Sequence, residues 1–423
     1  MLVAEKGKNA RLRNIPDNDE ADPLMKVGPS LVAEPPMGIL LPDGQGDMSP
    51  RISAYLAAHD LSEPCLVIDV DIVEHNYVSL TRALPLANVF YAVKASPADD
   101  IVRRLADLGS NFDAASLREI NLCLRHGISP ARISFGNTIK KETDIARAYA
   151  LGVRMFAFDS DAELEKIASV APGARVYCRI LVQCDGAEWP LSRKFGCEPE
   201  MAVRLLCKAQ RLGLDAYGVS FHVGSQQTNL DQWDNALRRV ADLFADAHRL
   251  GVDLRMINLG GGMPARYHAN VRPTEDYAAA IMDALMKHFG PALPEIIIEP
   301  GRSIAGDAGV IQAEVVLISR KSENDTVRWV YLDIGKFSGL TETMDESIKY
   351  RFLTPSDGGK TGPVVLAGPT CDSADILYEK TQYELPLDLR IGDKIQILST
   401  GAYTATYSSV SFNGFPPLQT ICI

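Results

Sequence analysis

Eight short apolar runs, each leading into a helical or turn-forming stretch, fill the middle of this 423-residue chain. They lie at 89–94, 111–116, 133–137, 155–159, 175–182, 217–223, 256–259 and 295–299. Helical patterns between them include 101–108, 117–126, 201–212, 230–250 and 274–289. Short continuous apolar runs alternating with helices read as parallel strands buried on both faces. Eight such units in about 220 residues are the arithmetic of an α/β fold, a TIM-type (β/α)₈ barrel. A doubly wound open sheet is the other architecture the alternation permits. The barrel is preferred because polar residues close many of the strands, and barrel active sites lie at those C-terminal ends. The ends supply Lys94, Asp113, Asn137, His222, the triple glycine Gly260-Gly261-Gly262 and Glu299.

Upstream, 51–59 reads as a short amphipathic segment and 64–70 as a strand. After Gly301 the rhythm changes to strand-like runs at 310–319, 327–334, 364–367, 394–398 and 417–423, separated by Pro and Gly turns. The expected organisation is a mostly disordered extension over 1–50 and a segment, 51–74, that joins the β domain. The barrel would then occupy 75–307, and a C-terminal all-β domain 308–423.

A net charge of −11 argues against nucleic acid or an anionic membrane as partner and is compatible with a small cationic substrate. The eight cysteines form no CxxC pair and no zinc-ligand spacing, so no metal is expected. Their scatter suggests reduced thiols in a cytoplasmic setting. No apolar run approaches a membrane span, and 1–50 lacks the apolar core of a secretory signal.

Chemistry concentrates at a few places. The run Asn88-Val89-Phe90-Tyr91-Ala92-Val93 ends in Lys94. A lysine there either snorkels out at a strand end or is desolvated into a nucleophilic amine suited to a Schiff base. The triple glycine lets backbone N–H groups approach an anion, and Glu299-Pro300-Gly301-Arg302 adds a fixed cation after the eighth strand. In barrels those two loops are the usual phosphate site. A tight turn and a local salt bridge are the plainer alternatives. Glu299 near a phosphorylated pyridine would pair with the ring nitrogen. His222 could stack on a flat cofactor or be a satisfied structural residue, and Ser225 could donate to a phosphate oxygen. Arg179, inside an apolar strand, must find an anion or acceptor. Cys371 and Asp372 offer a thiol and a charge in a loop, Asp345 and Glu346 two adjacent carboxylates, and Tyr403 a phenol within phosphate reach.

Together these motifs resemble a family. Tyr-Ala-Val-Lys, Phe-Asp-Ala-Ala-Ser, His-Val-Gly-Ser, Gly-Gly-Gly, Glu-Pro-Gly-Arg, Gly-Pro-Thr-Cys-Asp and Gly-Ala-Tyr occur in the order found in fold-type III pyridoxal-phosphate decarboxylases of basic amino acids. These have an alanine-racemase-like barrel, and the likeness runs from about residue 62 to the C-terminus. Ser411-Phe412-Asn413-Gly414-Phe415 fits the ornithine decarboxylase branch. The resemblance implies pyridoxal 5'-phosphate held by Lys94, stacked under His222 and paired at its ring nitrogen with Glu299. It implies a phosphate held by Ser225, Gly260, Gly261, Gly262, Gly301, Arg302 and Tyr403, with Asp113, Glu119 and Arg179 lining the pocket. It further implies a homodimer with shared sites, in which Cys371 of one subunit protonates the α-carbon in the other and Asp372 binds the distal amine. The second amine-binding acid falls on Asp345 or Glu346. The implied reaction is decarboxylation of L-ornithine to putrescine, with L-lysine or a dual specificity next and meso-diaminopimelate third. A racemase would leave Cys371 and Asp372 without purpose, and a non-catalytic homologue would be expected to have lost cofactor ligands.

Overall fold

The structure, a computed structural model, describes residues 48–189 and 194–423. The disordered extension expected over 1–50 lies outside the described residues as far as residue 47. Helix α1 (Pro50–Ala58) leads to strand β1 (Cys65–Ile68) and helix α2 (Val70–Ala83). The reading of 64–70 as one strand overran, because the Asp69 side chain accepts the Asp71 N–H and starts α2 at Val70.

The barrel strands are β2 (Ala87–Ala92), β3 (Asn111–Ala114), β4 (Ile133–Phe135), β5 (Met155–Phe158) and β6 (Arg175–Arg179). A short strand β7 (Ala187–Trp189) lies outside the barrel, which continues with β8 (Asp215–Ser220). Strand β9 (Ser225–Gln227) pairs antiparallel with β7, and β10 (Met256–Asn258) and β11 (Glu295–Ile298) complete the barrel. The closed order is β10-β11-β2-β3-β4-β5-β6-β8, every pair parallel. Each of the eight expected runs is one of these strands.

Strand alternation explains the packing. Along β2, Val89 and Tyr91 face outward into the large core shared with the helices, while Phe90 faces inward. The inward set Phe90, Met155, Ala157, Tyr177, Tyr217, Met256 and Ile297 fills the barrel, so it is a packed core and not a pore. Burying each large side chain of this set is worth about 1.5–3 kcal/mol.

The second sheet contains β12 (Gly309–Ser319), β13 (Arg328–Leu332), β14 (Phe352–Leu353), β15 (Thr361–Ala367), β16 (Ile376–Pro386), β17 (Lys394–Leu398) and β18 (Gln419–Cys422). Strand β1 joins it, antiparallel to β12 and parallel to β18. The eleven-residue β16 had no counterpart in the sequence reading. Its charged residues Glu379, Lys380 and Glu384 break the apolar alternation, and its ladder to β15 is irregular. Val364 pairs with Tyr383 and Leu366 with Tyr378, so 379–382 bulge out of register.

Candidate active site

The same alternation that fills the barrel aims the polar strand ends at its mouth. Inward parity runs Asn111 to Asp113, Tyr177 to Arg179, Met256 to Asn258, and Ile297 on to Glu299, while Lys94 lies in the turn directly after β2. Five polar side chains, at or just after the ends of five strands, are thereby brought to the C-terminal face.

Lys94 follows β2 in a single 3₁₀ turn and donates from Nζ to Asp113 Oδ2 at 2.7 Å. Its side chain is 46% exposed while that of Asp113 is 3% exposed, so the amine reaches into an open cleft from a buried anchor. Of the two readings of Lys94, partial exposure and the Asp113 ion pair match the lysine that reaches outward in this cofactor-free state. Burial does work against the ammonium, but Asp113, Tyr403 and Glu299 outweigh it and hold Lys94 above its ordinary value. In this state the amine is an ion-paired cation. The second oxygen of Asp113, Oδ1, is buried without a hydrogen-bond partner among the described residues. A Cβ at Gly136 would lie 1.9 Å from it, so only glycine leaves room for this carboxylate.

Glu299 follows β11 at the same end of the barrel. Its Oε1 accepts from Asn258 Nδ2, and Asn258 Oδ1 accepts the Gly260 N–H at 2.9 Å. Burial and the neighbouring Asp113 charge push the Glu299 carboxyl up to about 7, against the pull of Lys94, Asn258 and Arg179. His222 Nδ1 accepts the Gly224 N–H at 3.0 Å, which leaves any ring proton on Nε2. Burial, with Arg179 and Lys94 adding to it, keeps this imidazole neutral well below its usual range. Arg179 lies over the Phe195 ring at 5.0 Å and has no ion pair among the described residues. Glu119 turns back to accept the Ala115 N–H at 2.6 Å, while Ser116 caps the same helix, α4 (Leu117–Arg125).

At the other end of the cleft, Gly260 and Gly262 adopt φ +65° and +104°, left-handed backbone that side chains disfavour. A Cβ at Gly261 would come within 2.6 Å of the Glu299 carbonyl oxygen, and one at Gly301 within 3.1 Å of the Tyr403 hydroxyl. Arg302 is buried, donates from Nε to Ser225 Oγ at 3.0 Å, and has the Tyr403 ring 4.9 Å away. A glycine-walled site ending in serine, arginine and tyrosine, with the Asp113-paired lysine and the Glu299 carboxyl beside it, fits the phosphate, aldehyde and ring nitrogen of pyridoxal phosphate.

The structure divides the remaining expected residues. Cys371 and Asp372 are exposed on the loop between β15 and β16. Asn413 Oδ1 accepts the Cys371 N–H at 3.2 Å and lies 3.6 Å from its Sγ, while Asp372 caps the Ala374 N–H. Buried Asp375 anchors this loop by accepting from Thr370 and the Lys336 N–H. Asp345 is exposed at φ +53° in a kinked 3₁₀ segment, Thr341–Glu346. Glu346 requires a correction. Its carboxylate accepts the N–H groups of Glu379, Lys380 and Thr381 at 2.8, 2.7 and 2.6 Å, the very residues that bulge from β16. Burial is outweighed by these bonds, and its pKa drops to about 2. Glu346, offered in the sequence reading as a substrate ligand, is therefore engaged in this chain as an acceptor for β16.

Three residues of the site were missed: Asn258, Glu342 and Tyr267. Asn258 closes a barrel strand just before the triple glycine, a position that could have revealed it. Glu342 and Tyr267 both meet Arg302, whose need for a buried counter-ion was the available signal. Among the described residues no group of three or more His, Cys, Asp or Glu could hold a metal ion, and no helix is long and apolar enough to cross a membrane.

Comparison with known proteins agrees with this geometry. The chain belongs to the pyridoxal-dependent decarboxylases, its residues 70–306 matching the pyridoxal binding domain of that family. It is 35% identical over 366 residues to a lysine/ornithine decarboxylase of Selenomonas ruminantium, covering 86% of this chain and 90% of the relative. It is 32% identical over 375 residues to an ornithine decarboxylase of Caenorhabditis elegans, covering 85% and 87%. A crystal structure of lysine decarboxylase from Selenomonas ruminantium superposes with a TM-score of 0.79 at 33% identity, covering 89% of this chain and 96% of that one.

Proposed function

We propose that this chain decarboxylates L-ornithine to putrescine, with L-lysine as the next substrate. The observation that carries the reading is the convergence at one barrel end of Lys94, ion-paired with buried Asp113 at 2.7 Å, and Glu299, fixed by Asn258. Bound there, pyridoxal phosphate supplies an electron sink for the charge left on the α-carbon when CO₂ departs. Lys94 would hold the aldehyde end, with Asp113 orienting its amine. Glu299 would stand at the ring-nitrogen end and hold a proton there. Asn258 fixes the carboxyl's direction, and neutral His222 offers a flat face without adding a second positive charge. Arg302, Ser225 and Tyr403 take the phosphate, with the backbone of Gly260–262 and Gly301.

The exposed loop of Cys371 and Asp372 suits delivery into a partner subunit, making a head-to-tail dimer with shared sites. Cys371 would return a proton to the α-carbon. Asp372, with exposed Asp345, would meet the distal ammonium. Acidic side chains in these segments suit a simple ammonium better than the distal carboxylate of diaminopimelate. The similarity to lysine/ornithine and ornithine decarboxylases supports a diamino-acid substrate of this kind. The test is CO₂ and putrescine release from L-ornithine by purified protein with cofactor added. Release that depends on Lys94 is expected, and none from a cofactor-loaded protein would overturn the reading.

A further inference from the structure

Arg302 stands at the phosphate end of the pocket, yet most of its donors are already engaged by protein. Its Nε–H meets Ser225 Oγ at 3.0 Å. Its Nη1 donates to the Tyr267 hydroxyl and, at 2.8 Å, to Glu342 Oε2. Its Nη2 donates to Glu342 Oε1 at 2.6 Å. A guanidinium has five N–H groups, so these contacts leave one hydrogen, on Nη2. That hydrogen lies on the same edge of the planar group as the Nε–H, the edge turned to Ser225. Ser225 in turn accepts from Nε and so keeps its own hydroxyl hydrogen for another acceptor. Arg302 and Glu342 are 3% and 4% exposed, and the Tyr267 and Tyr403 rings lie 5.6 and 4.9 Å from the guanidinium carbon.

A bidentate carboxylate fixes a guanidinium in plane and in rotation, which a single contact does not. We propose that Glu342 is a positioning residue for the phosphate pocket: it grips the far edge of Arg302 so that the Nε/Nη2 edge and the Ser225 hydroxyl face the phosphate. The residue comes from the kinked segment Thr341–Glu346, outside the barrel, so a piece of the second sheet's connection sets the anion site at the barrel mouth. The same segment is pinned at its other end by Glu346 on the bulge of β16. This inference rests on the proposed reading of the pocket and deepens it.

The test is the dissociation constant of cofactor-stripped full-length protein for pyridoxal phosphate and for pyridoxal, measured by the absorbance of the bound form. The constant for pyridoxal divided by the constant for pyridoxal phosphate gives a ratio that reports phosphate recognition alone. In Glu342→Ala that ratio is expected to fall by about tenfold or more, because Arg302 loses its two strongest contacts. In Glu342→Gln, which keeps the volume and one acceptor oxygen, an intermediate fall is expected. A purely structural role would weaken both ligands alike and leave the ratio unchanged, which overturns the proposal. So would a ratio that rises, since Glu342 would then be a competitor of the phosphate. Should the alanine variant fail to fold, the glutamine variant alone decides by the same criterion. A wild-type protein that binds pyridoxal as tightly as its phosphate would overturn the proposal and the phosphate site together, whereas tight phosphate-dependent binding without decarboxylation would leave this proposal standing.

Discussion

Glu299 shows how one residue's surroundings decide its chemistry. Burial first, then the charge of Asp113, lifts its carboxyl from 4.5 to about 7. Between those values the folded cofactor-free chain keeps a proton that the unfolded chain has released. The contribution of this group to stability is thus fully present below about 4.5 and falls as pH rises through 7. Glu299→Gln should flatten that fall, seen as a smaller loss of urea stability between pH 5 and pH 7.5 than in the wild type. With cofactor loaded, the same variant should decarboxylate about a hundredfold more slowly, because an amide cannot hold the ring nitrogen protonated. A rate within threefold of wild type would remove Glu299 from that role. Lys94 and Glu299 stood out as candidates in the sequence because each follows an apolar run, whereas Asp113 lies inside β3, one residue before its end. The ion pair of Lys94 was not legible, since it depends on how deeply Asp113 is buried.

At the scale of elements, strand parity did most of the work of building the site. Each run was readable because parallel barrel strands are apolar on both faces, and the position of the first polar residue after each run followed. The second sheet was less readable: β16 carries charges along its length, and β14 has only two residues. Its bulge at 379–382 also changed the meaning of Glu346, which no pattern of adjacent acids could reveal. Glu346→Ala should destabilise the protein by about 2 kcal/mol by leaving three N–H groups without their acceptor. Because this carboxyl is held down at about 2, its stabilisation is present above the usual carboxyl range and is lost as pH falls towards 2. Chemical denaturation at pH 7 and at pH 3 should therefore show a larger deficit in the variant at pH 7. An equal deficit at both would contradict the assigned contact.

For the whole molecule, the division of labour is between a barrel that holds the cofactor pocket and a loop, 368–375, that presents Cys371 and Asp372 outward. If the sites are shared between subunits, Lys94→Ala and Cys371→Ala proteins are each nearly inactive alone. Dissociated, mixed in equal amounts and reassociated, they should regain about a quarter of wild-type activity, since half the dimers then carry one intact site. No recovery, with mixed dimers demonstrated by mass, would place Cys371 outside the partner's site.

The most direct measurement is the amine formed by purified protein supplied with pyridoxal phosphate and, separately, L-ornithine, L-lysine, L-arginine and meso-diaminopimelate. The account predicts putrescine from L-ornithine as the dominant product, with cadaverine from L-lysine second. No amine from any of the four, in protein that has bound the cofactor, would contradict the assignment of this chain as a basic amino-acid decarboxylase.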